Sequence, residues 1–231
     1  MKTPVVDYKK LRFSNIASSE YKHLLLLLGW IVYFALYFLT EKLIPADNCY
    51  IMHSKLDDII PFCEFFVIPY VGWYFLVAGS LLYFALYNIE SFKNLQKYII
   101  ITQVVAMAIY IAFPNMQDLR PEVFPRDNIL SRCVGFLYYF DTNTNVFPSL
   151  HVAYSIALAS VWLKEKKSHL LWRAFVVVAV ILICLSTAFI KQHSVLDIFG
   201  AFAVCVLAEI IVYGKYWYNC CKSQKELYVR R

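Results

Sequence analysis

The sequence contains few charged residues. Only 16% of its 231 residues are Asp, Glu, Lys or Arg, whereas 61% are hydrophobic and 18% are aromatic. A soluble domain usually has about a quarter charged and about half apolar residues. The low charge content therefore argues against a soluble domain. The apolar residues fall in blocks close to the roughly 20 helical residues that are needed to cross a membrane.

The chain also lacks the usual signs of a metal-binding or repetitive protein. Its seven cysteines form no C-x-x-C pair, so no zinc-like spacing is present. Cys49 and Cys63 fall in one predicted loop, where a disulfide would need an oxidising compartment. There are only six glycines and no internal repeat, whereas transporters typically have inverted repeats and spans broken by Gly or Pro. A transporter is therefore poorly supported.

Six apolar stretches predict an all-α, polytopic membrane protein with a six-transmembrane-helix bundle. The first stretch is too long for a signal peptide and is not followed by a cleavage site of small residues. We expect a cytoplasmic N-terminal segment at 1–22, a six-helix membrane catalytic domain at 23–213 and a cytoplasmic basic C-terminal tail at 214–231. The predicted spans are approximately 23–39, 65–87, 98–113, 147–163, 170–190 and 194–213.

The basic residues predict the orientation in the membrane, because Lys and Arg are retained on the cytoplasmic side. In the six-span arrangement, 16 of the 22 Lys and Arg residues fall on the side of the two termini. Both termini are therefore predicted to be cytoplasmic, in what we expect to be a bacterial plasma membrane. The net charge of +6 is then a topology signal, and we expect the lipid bilayer and no nucleic acid as partner.

Three polar motifs fall on the predicted non-cytoplasmic face. Arg120 follows the third span, residues 148–151 begin the fourth, and residues 191–197 join the fifth to the sixth. Hydropathy alone does not require the three motifs to lie on one face. Their convergence is therefore the best indication of a functional site.

The third motif contains a potential nucleophile. His193 and Asp197 are four residues apart, so on a helix they share a face and can touch. A carboxylate bonded to one imidazole nitrogen fixes the tautomer and leaves the other nitrogen free to attack. His151 is a candidate general acid. A helix cap with a surface ion pair also explains a His–Asp pair of this kind.

The other two motifs suit an anion. Pro148 is compatible with the first turn of a helix, and the free N–H groups of Ser149 and Leu150 would then face a bound anion together with the Ser149 hydroxyl. Arg120 and Lys191 are cations suited to phosphate, although both also suit contact with lipid headgroups. Together the motifs describe a phosphoryl-transfer site.

The motifs resemble, in order, those of the type-2 phosphatidic acid phosphatase superfamily: Arg120-Pro121, Pro148-Ser149-x-His151 and His193-x-x-x-Asp197. The resemblance covers about residues 50 to 213, and the stretch FPSLHVA is similar to the branch of inositol phosphorylceramide synthases and their bacterial relatives. It implies that His193 attacks phosphorus, that Asp197 orients it and that His151 protonates the leaving oxygen. Ser149 and Arg120 would hold the phosphate, with no metal and no other cofactor.

Two positions depart from the phosphatase pattern. Phe113 stands where the pattern has a lysine, and Thr187, after Ser186, stands where it has an arginine. Lys191 lies one helical turn beyond Thr187, so it is a candidate replacement for the arginine. The synthase-like branch also lacks these two cations.

We therefore expect an integral membrane lipid phosphatase that hydrolyses phosphate or pyrophosphate esters through phosphorylated His193. A lipid phosphotransferase that uses an alcohol as acceptor, like a sphingolipid synthase, is the alternative, and a non-catalytic transporter or scaffold is the second alternative. Asp57, Asp58 and Glu64 fall in the first outer loop. We expect a solvated acidic loop there, with a divalent-ion site as the alternative.

Overall fold

The apolar stretches form helices. The computed structural model describes residues 3–229, with side chains for residues 3–223, and its strands are only two residues long. A 3-10 helix at Lys22–Leu27 leads directly into α1. The main elements are α1 (Leu28–Leu43), β1 (Tyr50–Ile51), α2 (Lys55–Ile59), α3 (Val67–Tyr87), α4 (Ile89–Ala112), β2 (Asn115–Met116), α5 (Ile129–Phe140), α6 (Leu150–Lys164), α7 (Leu170–Phe189) and α8 (Val195–Val229).

Within the described residues, five helical stretches are long and apolar enough to cross a membrane, which identifies an integral membrane protein. They include α1, α3, α4, α7 and α8. The stretch predicted as the fourth span forms α6, which has 15 residues. A helix of this length measures about 22 Å, whereas the hydrocarbon core is about 30 Å thick.

Helix α6 is the central helix of the bundle. It packs against α4, α7 and α8, and Val152, Ala157 and Leu158 on it are fully buried. Its neighbours, rather than lipid, therefore surround much of its surface. This position explains how a helix shorter than a full span is kept within the apolar part of the protein.

Two boundaries differ from the prediction. Helix α4 begins at Ile89, before the predicted residue 98, and α8 continues past residue 213 to Val229, so much of the predicted tail is helical. The basic residues Lys2, Arg230 and Arg231, which contributed to the orientation argument, lie outside the described residues.

Short elements connect the helices at the end of the bundle that carries the three motifs. Strand β1 pairs in parallel with β2 and joins the chain before α2 to the chain after α4. Helix α5 was not predicted, because its 12 residues are too few for a span. The Asn128 side chain caps α5 by accepting from the N–H groups of Leu130 and Ser131.

The prediction that the acidic loop is exposed to solvent is wrong for two of its three carboxylates. Asp57 is 3% exposed and Glu64 is 1% exposed, and Glu64 accepts a hydrogen bond from Asn128 over 2.9 Å. Asp58 is exposed and lies 2.7 Å from His53. The buried carboxylates therefore hold the loop against the helices instead of facing solvent.

Candidate active site

A tight turn after α7 places His193. Lys191 has a φ of 56°, the left-handed conformation that commonly ends a helix. The N–H groups of Gln192 and His193 both donate to the Thr187 carbonyl over 3.0 Å. The turn reverses the chain and places His193 immediately before the first turn of α8.

His193 and Asp197 form the pair that their spacing predicts. His193 Nδ1 lies 3.1 Å from Asp197 Oδ2, and the same oxygen accepts the N–H of Ser194 over 2.9 Å. Asp197 is completely buried. An ionised carboxylate here accepts the proton of Nδ1, so Nε2 of the imidazole retains its lone pair. This geometry can present Nε2 of His193 as a nucleophile.

The turn before α6 is held by buried polar groups. Asn115 Oδ1 accepts the N–H groups of Val146 and Phe147 over 2.9 and 2.7 Å. The Tyr110 hydroxyl donates to the Pro148 carbonyl over 2.9 Å. These bonds fix the start of α6, and with it the position of the second motif. Asn115 lies far from the motif in sequence, so motif spacing did not reveal its role.

The N–H and the hydroxyl of Ser149 both form hydrogen bonds within the protein. Its N–H donates to the Asp197 carbonyl over 3.1 Å, and its hydroxyl oxygen accepts the N–H of Val152 over 3.4 Å, which caps α6. The residue is fully buried. The prediction that the Ser149 N–H is free for an anion is therefore wrong, because that group joins α6 to α8.

His151 lies beside His193 in an aromatic setting. The two imidazole centroids are 6.0 Å apart, and the His151 ring stacks on Tyr70 at 4.4 Å and contacts Trp73 at 4.2 Å. The buried atoms His151 Nε2 and Trp73 Nε1 have no hydrogen-bond partner in the part of the chain whose side chains are described. The two histidines are therefore close enough to act on one small group.

Arg120 binds protein atoms near this pair. Its guanidinium donates to the carbonyls of Tyr138 and Asp141 and to Gln192 Oε1, over 3.0, 2.5 and 2.6 Å. It also covers the face of the Tyr138 ring. The structure thus connects the first motif to the residue before His193 through the two terminal nitrogens of the guanidinium, while its buried Nε has no hydrogen-bond partner among the described residues.

Lys191 lies away from the histidines. Its ammonium donates to the carbonyls of Asp57 and Ile60 over 2.7 and 2.6 Å, and burial lowers its pKa. It lines a separate depression, together with His53, Asp58 and other residues. Lys191 therefore faces a depression other than the cavity that the two histidines line.

Asp141 is a site residue that motif analysis missed. Its Oδ2 accepts from the Tyr70 hydroxyl over 2.6 Å and from Gln192 Nε2 over 3.1 Å. The polar run at 141–145, just before the second motif, was the signal available in the sequence. Asp141 connects Tyr70, which stacks on His151, to the loop that carries His193.

Both histidines line a cavity of about 600 Å³. Its apolar walls are aromatic and aliphatic residues of α1 and α3. The lining extends from Leu27, at the end of the 3-10 helix, along α1 to Phe38. This is about 16 Å at 1.5 Å per residue, or roughly half the thickness of the hydrocarbon core. Among the described residues the lining includes neither Lys nor Arg, and its polar end consists of Asp141, Thr142, Thr144, Asn145, His151, Gln192 and His193.

The chain thus forms an apolar helical membrane bundle with two histidines at the polar end of a cavity. The family model of the PAP2 superfamily matches residues 97–220, more than half of the chain. The chain belongs to this superfamily, whose members are typically phosphatases or phosphotransferases, and membership indicates such activity on lipids in a membrane. Neither the curated proteins nor the solved structures yielded a match. Helices α1 to α3 lie outside the matched residues.

Proposed function

We propose that this protein transfers a phosphoryl-type group from a membrane lipid in two steps, through phosphorylated His193. The observation that carries the proposal is the His193–Asp197 pair, 3.1 Å apart, beside His151 at the polar end of the cavity. Asp197 holds the Nδ1 proton, so Nε2 of His193 is the attacking atom. A serine nucleophile is not supported, because the Ser149 hydroxyl is buried and caps α6.

In the first step, Nε2 of His193 forms a bond to phosphorus while the bond from phosphorus to the leaving oxygen breaks. The proton on His151 passes to that oxygen. In the second step an acceptor hydroxyl gives its proton to His151, its oxygen bonds to phosphorus, and the phosphorus–nitrogen bond breaks. Both histidines then return to their starting states, and no metal or other cofactor takes part.

The cavity supports a lipid as the donor. Its apolar part runs along α1 for about 16 Å, which is the depth of about one leaflet. A hydrocarbon chain between α1 and α3 would place its head group at the histidines. On this proposal α6 is the sixth membrane helix, and the excess of Lys and Arg on the side of the termini supports a site on the non-cytoplasmic face.

The charge of the cavity favours the phosphotransferase over the lipid phosphatase. A phosphate monoester carries close to two negative charges at neutral pH. The two candidate cations, Arg120 and Lys191, both donate to carbonyl groups of the protein. The Asp141 carboxylate lines the same cavity and would repel a dianion. A phosphodiester has one charge less, and hydroxyl groups can donate to Asp141. This observation supports transfer of a phospho-head group to an alcohol, as in the synthase-like branch.

The test uses purified protein in lipid nanodiscs with a panel of phosphomonoester and phosphodiester lipids. Free phosphate and new phospholipids are measured by mass, with and without added alcohol acceptors, and phosphoenzyme is trapped by rapid quenching. We expect a phosphodiester donor, transfer to an alcohol, and no phosphoenzyme in His193→Ala. Release of phosphate from monoesters alone would favour the phosphatase. The absence of any product and of phosphoenzyme would overturn both functions in favour of a transporter or scaffold.

A further inference from the structure

Asp57 is a buried carboxylate with four hydrogen-bond donors around it. Its oxygens accept from the Ser194 hydroxyl over 2.6 Å and from the Val195 N–H over 2.8 Å. They also accept from the N–H and the hydroxyl of Ser54, over 2.7 and 3.1 Å. Asp57 belongs to α2, outside the residues that the superfamily model matches.

These bonds bind Asp57 to the start of α8. Hydrogen bonds to an ionised carboxylate are shorter and stronger than those between neutral groups, and a negative charge is stabilised beside a helix N-terminus. Asp57 therefore ties the first turn of α8 to α2. Substitution of the carboxylate would leave the Ser194 hydroxyl and the Val195 N–H without their acceptor.

Ser194 connects this carboxylate to the proposed nucleophile. Its hydroxyl donates to Asp57 while its N–H donates to Asp197 Oδ2 over 2.9 Å. That same Oδ2 lies 3.1 Å from His193 Nδ1. A displacement of Ser194 would thus move the oxygen that orients the imidazole.

Lys191 makes a second connection to the same short helix. Its ammonium donates to the carbonyls of Asp57 and Ile60. Residues 192–194 are therefore enclosed between two attachments to α2, one through Lys191 and one through the Asp57 carboxylate. Residues of α2, which lie outside the three superfamily motifs, therefore help to fix the segment that contains His193.

We infer that Asp57 is a positioning residue for the His193–Asp197 pair and acts through Ser194. The inference rests on the proposed function for its kinetic consequence, but the geometric consequence can be measured separately. A displacement of about 1 Å at a reacting group can reduce the rate about 100-fold. We therefore expect Asp57→Asn to slow phosphoenzyme formation about 100-fold with little change in KM.

The matched control is Asp58→Asn, which changes the neighbouring carboxylate in the same way. The Asp58 side chain is 63% exposed and lies beside His53, away from the cavity, so full activity is expected. Equal losses in both variants, or no loss in Asp57→Asn, would overturn the inference.

A double-mutant cycle with Ser194→Ala tests the route of the effect. Ser194→Ala removes the hydroxyl that Asp57 binds but retains the N–H that Asp197 accepts. If Asp57 acts through Ser194, the double variant is little slower than the slower single variant. Fully additive losses would exclude this route. If Asp57→Asn does not fold, Ser194→Ala still tests the inference, because it removes the hydroxyl that donates to Asp57.

Imidazole ¹⁵N resonances of His193 separate this inference from the proposed function, with the spectrum of His193→Gln used for assignment. We expect Asp57→Asn, but not Asp58→Asn, to shift the His193 Nδ1 resonance, since that atom bonds Asp197. If the wild-type protein forms no phosphoenzyme but the shift occurs, the proposed function fails and the positioning role stands. If phosphoenzyme forms but neither its rate nor the resonance changes in Asp57→Asn, the positioning role fails alone.

Discussion

The backbone N–H of Ser149 donates to the carbonyl oxygen of Asp197 over 3.1 Å. Ser149 caps α6, which carries His151, and Asp197 lies in the first turn of α8, next to His193. The distance between the two histidines is therefore set partly by main-chain atoms. The ring of Phe147 packs against Gly200 of α8 so closely that a Cβ at Gly200 would overlap it. The bond and the contact hold the second and third motifs together.

Gly200→Ala should separate the two motifs. Overpacking of a tight contact typically costs about 1–3 kcal/mol, so we expect a lower thermal unfolding temperature and slower phosphoenzyme formation. Gly214→Ala in the same helix is the control, since a Cβ there meets nothing within 4 Å and alanine is the better helix former. Equal stability and activity in the two variants would show that the Phe147 contact does not matter.

The two histidines should have different roles. His193→Ala removes the attacking nitrogen, so no phosphoenzyme should form with any substrate. His151→Ala should reduce activity on a lipid substrate by about 10²–10⁴-fold, the usual contribution of general acid catalysis. It should reduce activity less with an aryl phosphoester, whose leaving oxygen needs no proton. Phosphoenzyme in His193→Ala but not in His151→Ala would reverse the two roles.

Asp141→Asn should change the preference between substrates of different charge. One unit charge about 8–16 Å away contributes on the order of 1–2 kcal/mol at an effective dielectric constant of about 20. We therefore expect the ratio of kcat/KM for a phosphomonoester to that for a phosphodiester to rise roughly tenfold. Asp58→Asn serves as the control, because its carboxylate lies outside the cavity. An unchanged ratio in Asp141→Asn would remove the charge argument for the phosphotransferase.

Ala78→Phe should obstruct the apolar part of the cavity, since Ala78 lines its α3 wall. Activity on a long-chain lipid should fall, while activity on a short-chain soluble analogue should be retained. Gly79→Phe adds the same ring on the neighbouring face of α3, in a separate groove. If Ala78→Phe lowered the activity on both substrates equally, the hydrocarbon chain of the lipid would have to bind elsewhere.

Acid should destabilise the wild-type protein partly through Asp57. Burial alone would raise the pKa of this carboxyl group, but the hydrogen bonds from Ser194, Val195 and Ser54 outweigh it and lower the pKa below its ordinary value. A group with a lowered pKa stabilises the folded state above the unfolded pKa, about 3.9 for Asp. That stability is lost as the pH falls through the folded pKa.

Asp57→Asn should therefore unfold at a lower temperature than wild type near neutral pH. Its unfolding temperature should also fall less between about pH 6 and about pH 3, because it has no carboxylate to protonate at this position. Thermal unfolding of both proteins in the same detergent measures this. Parallel curves for wild type and Asp57→Asn would mean that Asp57 contributes nothing to the acid dependence.

Local features of the fold were predictable from the sequence. Long apolar blocks require helices in a membrane, because backbone groups must be satisfied internally there. The four-residue spacing of His193 and Asp197 predicted their contact, although His193 lies in the turn before α8 and only Asp197 lies in the helix. The order of the three motifs indicated the superfamily. Helix α5 was not predicted in the same way, because its apolar stretch of 12 residues is too short to be recognised as a membrane span.

The amino-acid sequence by itself determined an all-helical membrane protein and the identity of its proposed nucleophile, because both depend on neighbouring residues. Only the tertiary structure decided which polar groups face the cavity and which are hydrogen-bonded within the protein. It buried Ser149, turned Lys191 toward α2 and placed Asp141 in the cavity. Asp57 meets Ser194 across 137 positions of the chain. Contacts at such a separation follow from the packing of whole helices, which no local spacing encodes.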